Sequence, residues 1–160
     1  MSDPLAIYLH DHLAGSRFAI ELLESLEEQY SGQTLGEFAR GLKADVKQDQ
    51  ETLEKIIDSV GSTHLDLKEA AGWFAEKAAR FKLRGDHAAA GIGTFEALET
   101  LVLGIRGKLA LWEVLPIART VDMRIPNIDF GKLAGSAEEQ GARAEIQRLQ
   151  FATTTFMLQR

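Results

Sequence analysis

Apolar residues recur every three or four positions along most of the chain, which is the spacing that places side chains on one face of an α-helix. The pattern predicts five helices, at about 4–30, 34–60, 66–83, 93–115, and from between 129 and 136 to about 158. Asp3 before Pro4 is typical of a helix N-terminus, and Gly61 is typical of a helix end. Capping-box patterns, in which a hydroxyl residue precedes a glutamate by three positions, occur at 34–37 and 136–139.

No segment alternates apolar and polar residues with the period of two that is typical of a strand. The predicted first and second helices are joined by a short loop, so we expect them to lie antiparallel. Nothing along the chain marks a linker, a repeat or a domain boundary. The sequence therefore predicts an all-α fold with a single domain over 1–160.

The predicted fourth helix is apolar nearly all round, which indicates packing on several sides. Gly104 and Gly107 would let a neighbour approach its backbone closely, at a cost in helix propensity. Lys108 flanks the apolar arc and could pair with a buried acid or extend to water. Three charged residues recur every seven positions and predict a line of solvated or inter-helix charges: Glu99, Arg106 and Glu113.

Two stretches resemble a known group of proteins. They are Tyr8–Ser16 (YLHDHLAGS), continuing to Ile20-Glu21-Leu22-Leu23, and Leu103–Trp112 (LGIRGKLALW). Both are similar to segments of a group of bacterial ferritin-like proteins whose role is not established. The resemblance implies an antiparallel four-helix bundle built from the first, second, fourth and fifth predicted helices, with the third as an additional crossover helix. It implies no activity.

Metal-binding ferritin-like proteins supply a Glu from each of two helices and a Glu-x-x-His from each of the other two. The spacing matters because residues three apart project from one face of a helix and can hold one metal ion together. None of the four histidines has an acidic residue three positions before it. We therefore expect this chain to lack the di-iron ligands.

Polar residues nevertheless fall inside the apolar stripes of three helices. His12 and Ser16 continue the stripe of the first helix, and Asp49 lies in the middle of the second, one turn after Asp45. If the first two helices form a hairpin that turns near Gly32, these residues come level with one another. A carboxylate removed from water needs a hydrogen-bonded partner. We therefore predict a buried His12–Asp49 interaction with Ser16 nearby.

In the last helix, Glu138 and Glu145 share a predicted inward stripe with Ala142, Leu149, Ala152 and Phe156. Together with the first two helices, this stripe would assemble a polar cluster in the core: His12, Asp45, Asp49, Glu138 and Glu145. The expected role of the cluster is a satisfied polar network that fixes the register of the helices. Imidazole with carboxylates also suits iron, manganese or zinc, so a remnant or altered metal site is the alternative. A small pocket for a ligand or for proton transfer is a third.

Two classes of function remain open. The favoured one is a non-catalytic bundle, without a cofactor, that acts through protein association or a stored conformation. The alternative is a divergent metal-binding protein or metal-dependent oxidase that uses the cluster above. Whether the chain is an enzyme is left open, as is homo-oligomer formation.

The composition limits the classes of partner that we expect. The chain carries 18 basic and 24 acidic residues, a net charge of −6, whereas proteins that bind a phosphate backbone usually show a basic balance or face. We expect no nucleic-acid partner. The sequence has no cysteine, no signal-peptide pattern at Met1-Ser2-Asp3-Pro4 and no apolar stretch long enough for a bilayer. A cytoplasmic protein without a membrane partner is the expectation.

Overall fold

A computed structural model describes residues 3–61, Glu76 and 91–157 of the chain. These residues form four α-helices and no strand, in agreement with the predicted all-α class: α1 (Pro4–Gln29), α2 (Thr34–Val60), α3 (Ile92–Ala118) and α4 (Phe130–Thr155). Apart from Glu76, which is helical, the helix predicted at 66–83 lies outside the described residues. None of the four described helices combines the length and apolar character that a membrane span requires.

Two of the predicted helix ends are confirmed. The carboxylate of Asp3 accepts hydrogen bonds from the backbone amides of Leu5, at 3.0 Å, and Ala6, at 3.4 Å, and so caps α1. Gly61 ends α2 with a φ of 73°, a left-handed conformation that glycine adopts without a steric penalty.

Both predicted capping boxes are wrong. The residue before α2 is Gln33, whose side chain makes no capping bond, and Thr34 is already helical. The last helix begins at Phe130 because the Asp129 carboxylate accepts a hydrogen bond from a first-turn amide at 2.9 Å. Ser136 is therefore well inside α4, where its backbone amide bonds within the helix and needs no cap.

The helices form a bundle in which α1 packs along α2 and α3 packs along α4, while α1–α3 and α2–α4 contacts are fewer. The hydroxyl groups of Tyr30, just after α1, and Thr94, near the start of α3, lie 2.7 Å apart. At the other end, Asp3 pairs with Arg124, beyond the end of α3, at 2.7 Å. These contacts place α1 and α3 antiparallel to each other.

Helices α2 and α3 run in the same direction. Leu35, at the start of α2, shares an apolar cluster with Ala97, near the start of α3. Val60, at the end of α2, shares another with Leu115, near the end of α3. The chain therefore leaves α2 at one end of the bundle and enters α3 at the other.

Buried apolar residues form two separate clusters, one toward each end of the bundle. The Phe18 cluster contains Phe18, Leu22, Leu23, Leu26, Leu35, Ala39, Leu42, Val46, Ala97, Leu98, Leu101, Val102, Ile105 and Ala144. The Trp112 cluster contains Leu9, Leu13, Leu53, Ile56, Ile57, Val60, Leu111, Trp112, Leu115, Ile125, Phe130 and Ala137. Between them lie Asp49, Lys108 and Gln140, which we call the middle layer.

The turn between α3 and α4 is held against the Trp112 end of the bundle. Arg124 donates hydrogen bonds to Asp122, to Asp3, and to the backbone carbonyl of Val60 at 3.2 Å. The next residue, Ile125, is completely buried. One arginine thus joins the start of α1, the end of α2 and the turn after α3, and its bonds lower the pKa values of Asp3 and Asp122.

Candidate functional site

The middle layer is a hydrogen-bonded triangle contributed by three helices. The Nζ atom of Lys108, on α3, donates to the Oδ2 atom of Asp49, on α2, at 2.6 Å, and also to Oε1 of Gln140, on α4. The Nε2 atom of Gln140 donates to the same Asp49 oxygen at 3.1 Å. A single carboxylate therefore accepts a bond from an ammonium and from an amide, and each of the three side chains contacts the other two.

All three side chains are shielded from solvent. The side chain of Lys108 is 14% exposed and that of Asp49 is 11% exposed, and Gln140 is buried. Burial lowers the pKa of the Lys108 ammonium, and the attraction of Asp49 opposes this without reversing it. Burial has the larger effect on this pKa because the cost of removing two charges from water can exceed their mutual attraction.

A second ion pair lies beside the middle layer. Arg143 of α4 pairs with Asp45 of α2, one turn along from Asp49. The Asp45 carboxylate raises the pKa of Lys108, whereas the Arg143 guanidinium lowers it. The two members of this ion pair therefore have opposite effects on Lys108. On the other side of α2, Gln50 donates a hydrogen bond to Ser16 of α1 at 2.9 Å.

The predicted His12–Asp49 interaction is wrong, although Asp49 is buried and hydrogen-bonded as expected. One helical residue turns the side-chain direction by about 100°, so Asp49 and Gln50 face different helices. Gln50 faces α1 and bonds Ser16, whereas Asp49 faces α3 and α4. The ring of His12 instead meets that of Tyr8 edge to face, with centroids 4.7 Å apart.

The five residues of the predicted polar cluster, which was also the alternative metal site, do not come together. Asp45 pairs with Arg143, Glu138 is exposed, and Glu145 pairs with Arg148 at 2.7 Å, which lowers the Glu145 pKa. Within the described part of the chain, no three His, Asp or Glu side chains are placed to hold one metal ion. Its buried polar side-chain atoms without a partner belong to His10, Trp112 and Arg119, none of which is a member of the predicted cluster.

Glu138 and Glu145 were misplaced because the predicted inward face of α4 is wrong by one position. The face was assigned from the large apolar residues Leu149 and Phe156, which are instead 54% and 61% exposed. The residues that α4 buries are Phe130, Ala137, Gln140, Ala144 and Thr155. Gln140 belongs to this buried face, and Lys108 and Asp49 are its hydrogen-bond partners there.

The sequence identified Asp49 as a buried acid and Lys108 as a residue that could pair with a buried acid or extend to water. It did not join these two residues, and Gln140 was missed. A usable signal was present. Ala137, Gln140 and Ala144 follow the helical spacing that leads on from Phe130, and a polar residue at such a position is expected to need partners.

No protein-family model, no curated protein and no solved structure matches the chain.

Proposed function

We propose that this protein is a non-catalytic, ferritin-like helical bundle in which an internal ion pair takes the place of a metal centre, and that it acts through its outer surface. The observation that carries the proposal is the Lys108–Asp49–Gln140 triangle in the middle of the bundle.

The ferritin-like part of the proposal is supported by the order and direction of the helices. Two antiparallel pairs, α1 with α2 and α3 with α4, are joined by a connection that has to return along the length of the bundle. Ferritin-like folds are four-helix bundles with one such long connection. The predicted crossover helix would belong to that connection.

Metal centres of ferritin-like bundles are built in the core from side chains on facing helices. In this chain the corresponding depth carries one carboxylate, one amide and an ammonium group. A lysine ammonium has three donors and no acceptor, so it cannot be a ligand while it is protonated. Its positive charge, held 2.6 Å from the Asp49 oxygen, satisfies the carboxylate that a metal ion would otherwise require.

The donor set therefore does not fit a di-iron or di-manganese centre. Asp49 is already bonded to two side chains, and the other predicted carboxylates, Asp45 and Glu145, are paired with arginines. The alternative function, a divergent metal-dependent oxidase, gains no support from this geometry.

Elemental analysis tests the proposal in solution. The purified protein is incubated with Fe(II) under argon, or with Mn(II) or Zn(II), desalted, and compared with the Asp49→Asn and His12→Ala variants. We expect far less than one metal ion per chain in all three proteins. Stoichiometric metal in the unaltered protein would contradict the proposal, and its loss from either variant would identify which residue binds it.

A further inference from the structure

Exposed apolar side chains are concentrated on one half of the bundle. Among the described residues, ten large hydrophobic side chains are exposed, and one of them, Ile7, lies on the α1–α2 half. The others lie on α3, on α4 or in the segments just after them: Leu103, Val114, Ile117, Val121, Met123, Ile146, Leu149, Phe156 and Met157. The α3–α4 half therefore carries an apolar surface that the described part of the chain leaves uncovered.

The outward face of α3 also carries two glycines. Gly104 and Gly107 lie on or beside this face, and a Cβ atom added at either position would meet nothing within 4 Å. The packing of the described residues therefore does not require glycine there, although glycine lowers the stability of a helix interior. Close approach of the backbone of a second helix would still be a reason for glycine at these two positions.

Two exposed apolar residues of α3 are spaced equally about Ala110, which is itself exposed. Leu103, 64% exposed, lies seven residues before it, and Ile117, 68% exposed, lies seven residues after it. Arg106 lies four residues before Ala110, and Glu113 lies three residues after it. If a second α3 crosses antiparallel with its own Ala110 at the same point, each Leu103 meets an Ile117, and each Arg106 meets a Glu113.

The two charges are available for such a contact. Arg106 and Glu113 are exposed, and neither makes an ion pair with another described residue. Within the described part of the chain, Arg106 acts at longer range on Glu145, whose pKa its charge helps to lower. By contrast, Glu99, which continues the line of charges, is already paired with Arg148 at 3.2 Å.

We propose that a second copy of this chain docks on the outward face of α3, antiparallel and crossing at Ala110, to form a two-fold symmetric dimer. Two-fold interfaces are self-complementary, with residue i of one copy against residue j of the other and the reverse. On the neighbouring helix α4, Ile146 and Leu149 are 53% and 54% exposed and would extend the apolar contact. The inference rests on the proposal that the bundle acts through its surface, and it names the partner.

Charge reversal tests the inference, with the mass in solution measured by sedimentation equilibrium. Arg106→Glu puts two glutamates opposite each other at both ends of the crossing, and Glu113→Arg does the same with arginines. We expect the dimer dissociation constant of each variant to rise about tenfold or more, because like charges face each other twice.

Mixing the two variants restores both attractive pairs, because every position 106 then faces an opposite charge at position 113. We expect a heterodimer at close to the original affinity, and the double variant Arg106→Glu/Glu113→Arg should self-associate likewise. Matched controls reverse exposed charges on α2, Lys55→Glu and Glu51→Arg, and should leave dimerisation unchanged.

A monomeric unaltered protein across the micromolar range would overturn the inference, as would a dimer that neither variant weakens. Replacing Ala110 with Trp gives a second test, since a bulky side chain at the crossing blocks close approach without touching the core. Circular dichroism shows whether this variant is folded, and a folded variant that still dimerises would also overturn the proposed face. Metal analysis is unaffected by any of these results, so the failure of the dimer is distinguishable from the failure of the ion-pair proposal.

Discussion

At the scale of single residues, Lys108 and Asp49 depend on each other. Each is a charged group largely removed from water, and each is the other's closest opposite charge, at 2.6 Å. Burial nevertheless lowers the pKa of Lys108, so the attraction offsets only part of the cost of removing the ammonium from water. A buried ion pair of this kind adds little net stability while both members are present, but losing one member leaves an isolated charge.

We therefore predict that Lys108→Met destabilises the protein by about 3–5 kcal/mol, because it leaves the Asp49 carboxylate buried without its cation. The double variant Lys108→Met/Asp49→Leu should recover most of that loss, since it removes both charges. Urea unfolding of the two single variants and the double variant gives the coupling energy. Additive effects would mean that the two side chains do not interact. The exposed pair of Lys47 and Glu24, 3.8 Å apart, is the control and should show little coupling.

The contribution of His12 to the pH dependence of protein stability follows from the direction in which its pKa is shifted. Burial lowers the pKa of His12 below its ordinary value, and the charge of Asp11 opposes this more weakly. As the pH falls below about 6.5, the unfolded chain binds a proton at this position before the folded protein does, so the folded protein loses stability.

The prediction is that the free energy of unfolding decreases between about pH 6.5 and the lower folded-state pKa, and that His12→Asn removes this part of the decrease. Denaturant unfolding at a series of pH values measures the effect as a difference between the two proteins. An identical pH dependence in both would show that His12 does not contribute.

At the scale of helices, the junction of α1 and α2 depends on one glycine. A Cβ atom at Gly36 would lie 2.2 Å from the backbone carbonyl oxygen of Tyr30, in the turn that precedes α2. The carbonyl oxygen belongs to the backbone and the Cβ position is fixed by the helix, so the turn or the helix would have to shift. Gly41, further along α2, is exposed and has nothing within 4 Å of its Cβ position.

These two glycines give a matched pair of substitutions on one helix. We expect Gly36→Ala to destabilise the protein by about 1–3 kcal/mol, because the clash outweighs the gain in helix propensity. Gly41→Ala should stabilise it by about 0.5–1 kcal/mol, because only the gain remains. Thermal unfolding distinguishes the two, and equal effects of the same sign would contradict the close packing of this turn.

The helices could be predicted from the sequence better than their rotation about their own axes. Asp3 and Gly61 mark helix ends through local chemistry, which a sequence shows directly. The inward face of α4 depends instead on what its neighbours offer. Gln140 is buried because Lys108 and Asp49, from two other helices, satisfy its amide. The spacing along α4 can mark position 140 as inward, but it does not identify these partners.

At the scale of the whole molecule, the bundle has two apolar ends and a polar middle. The burial of Asp49 could be predicted, because a carboxylate in the centre of an apolar stripe has to face the core. Its partners could not be predicted, because they depend on which helices face each other across the bundle. The prediction assumed a contact with the neighbour in sequence, α1, whereas Asp49 reaches α3, which lies farther along the chain.

The most direct test of the Lys108–Asp49 ion pair is a crystal structure of the protein grown with Mn(II), with anomalous scattering measured to locate the metal. We expect continuous density for the Lys108 side chain up to the Asp49 carboxylate and the Gln140 amide, with no anomalous peak in the middle of the bundle. An anomalous peak coordinated by Asp49, with Lys108 turned away from it, would contradict the proposal that the ion pair takes the place of a metal centre.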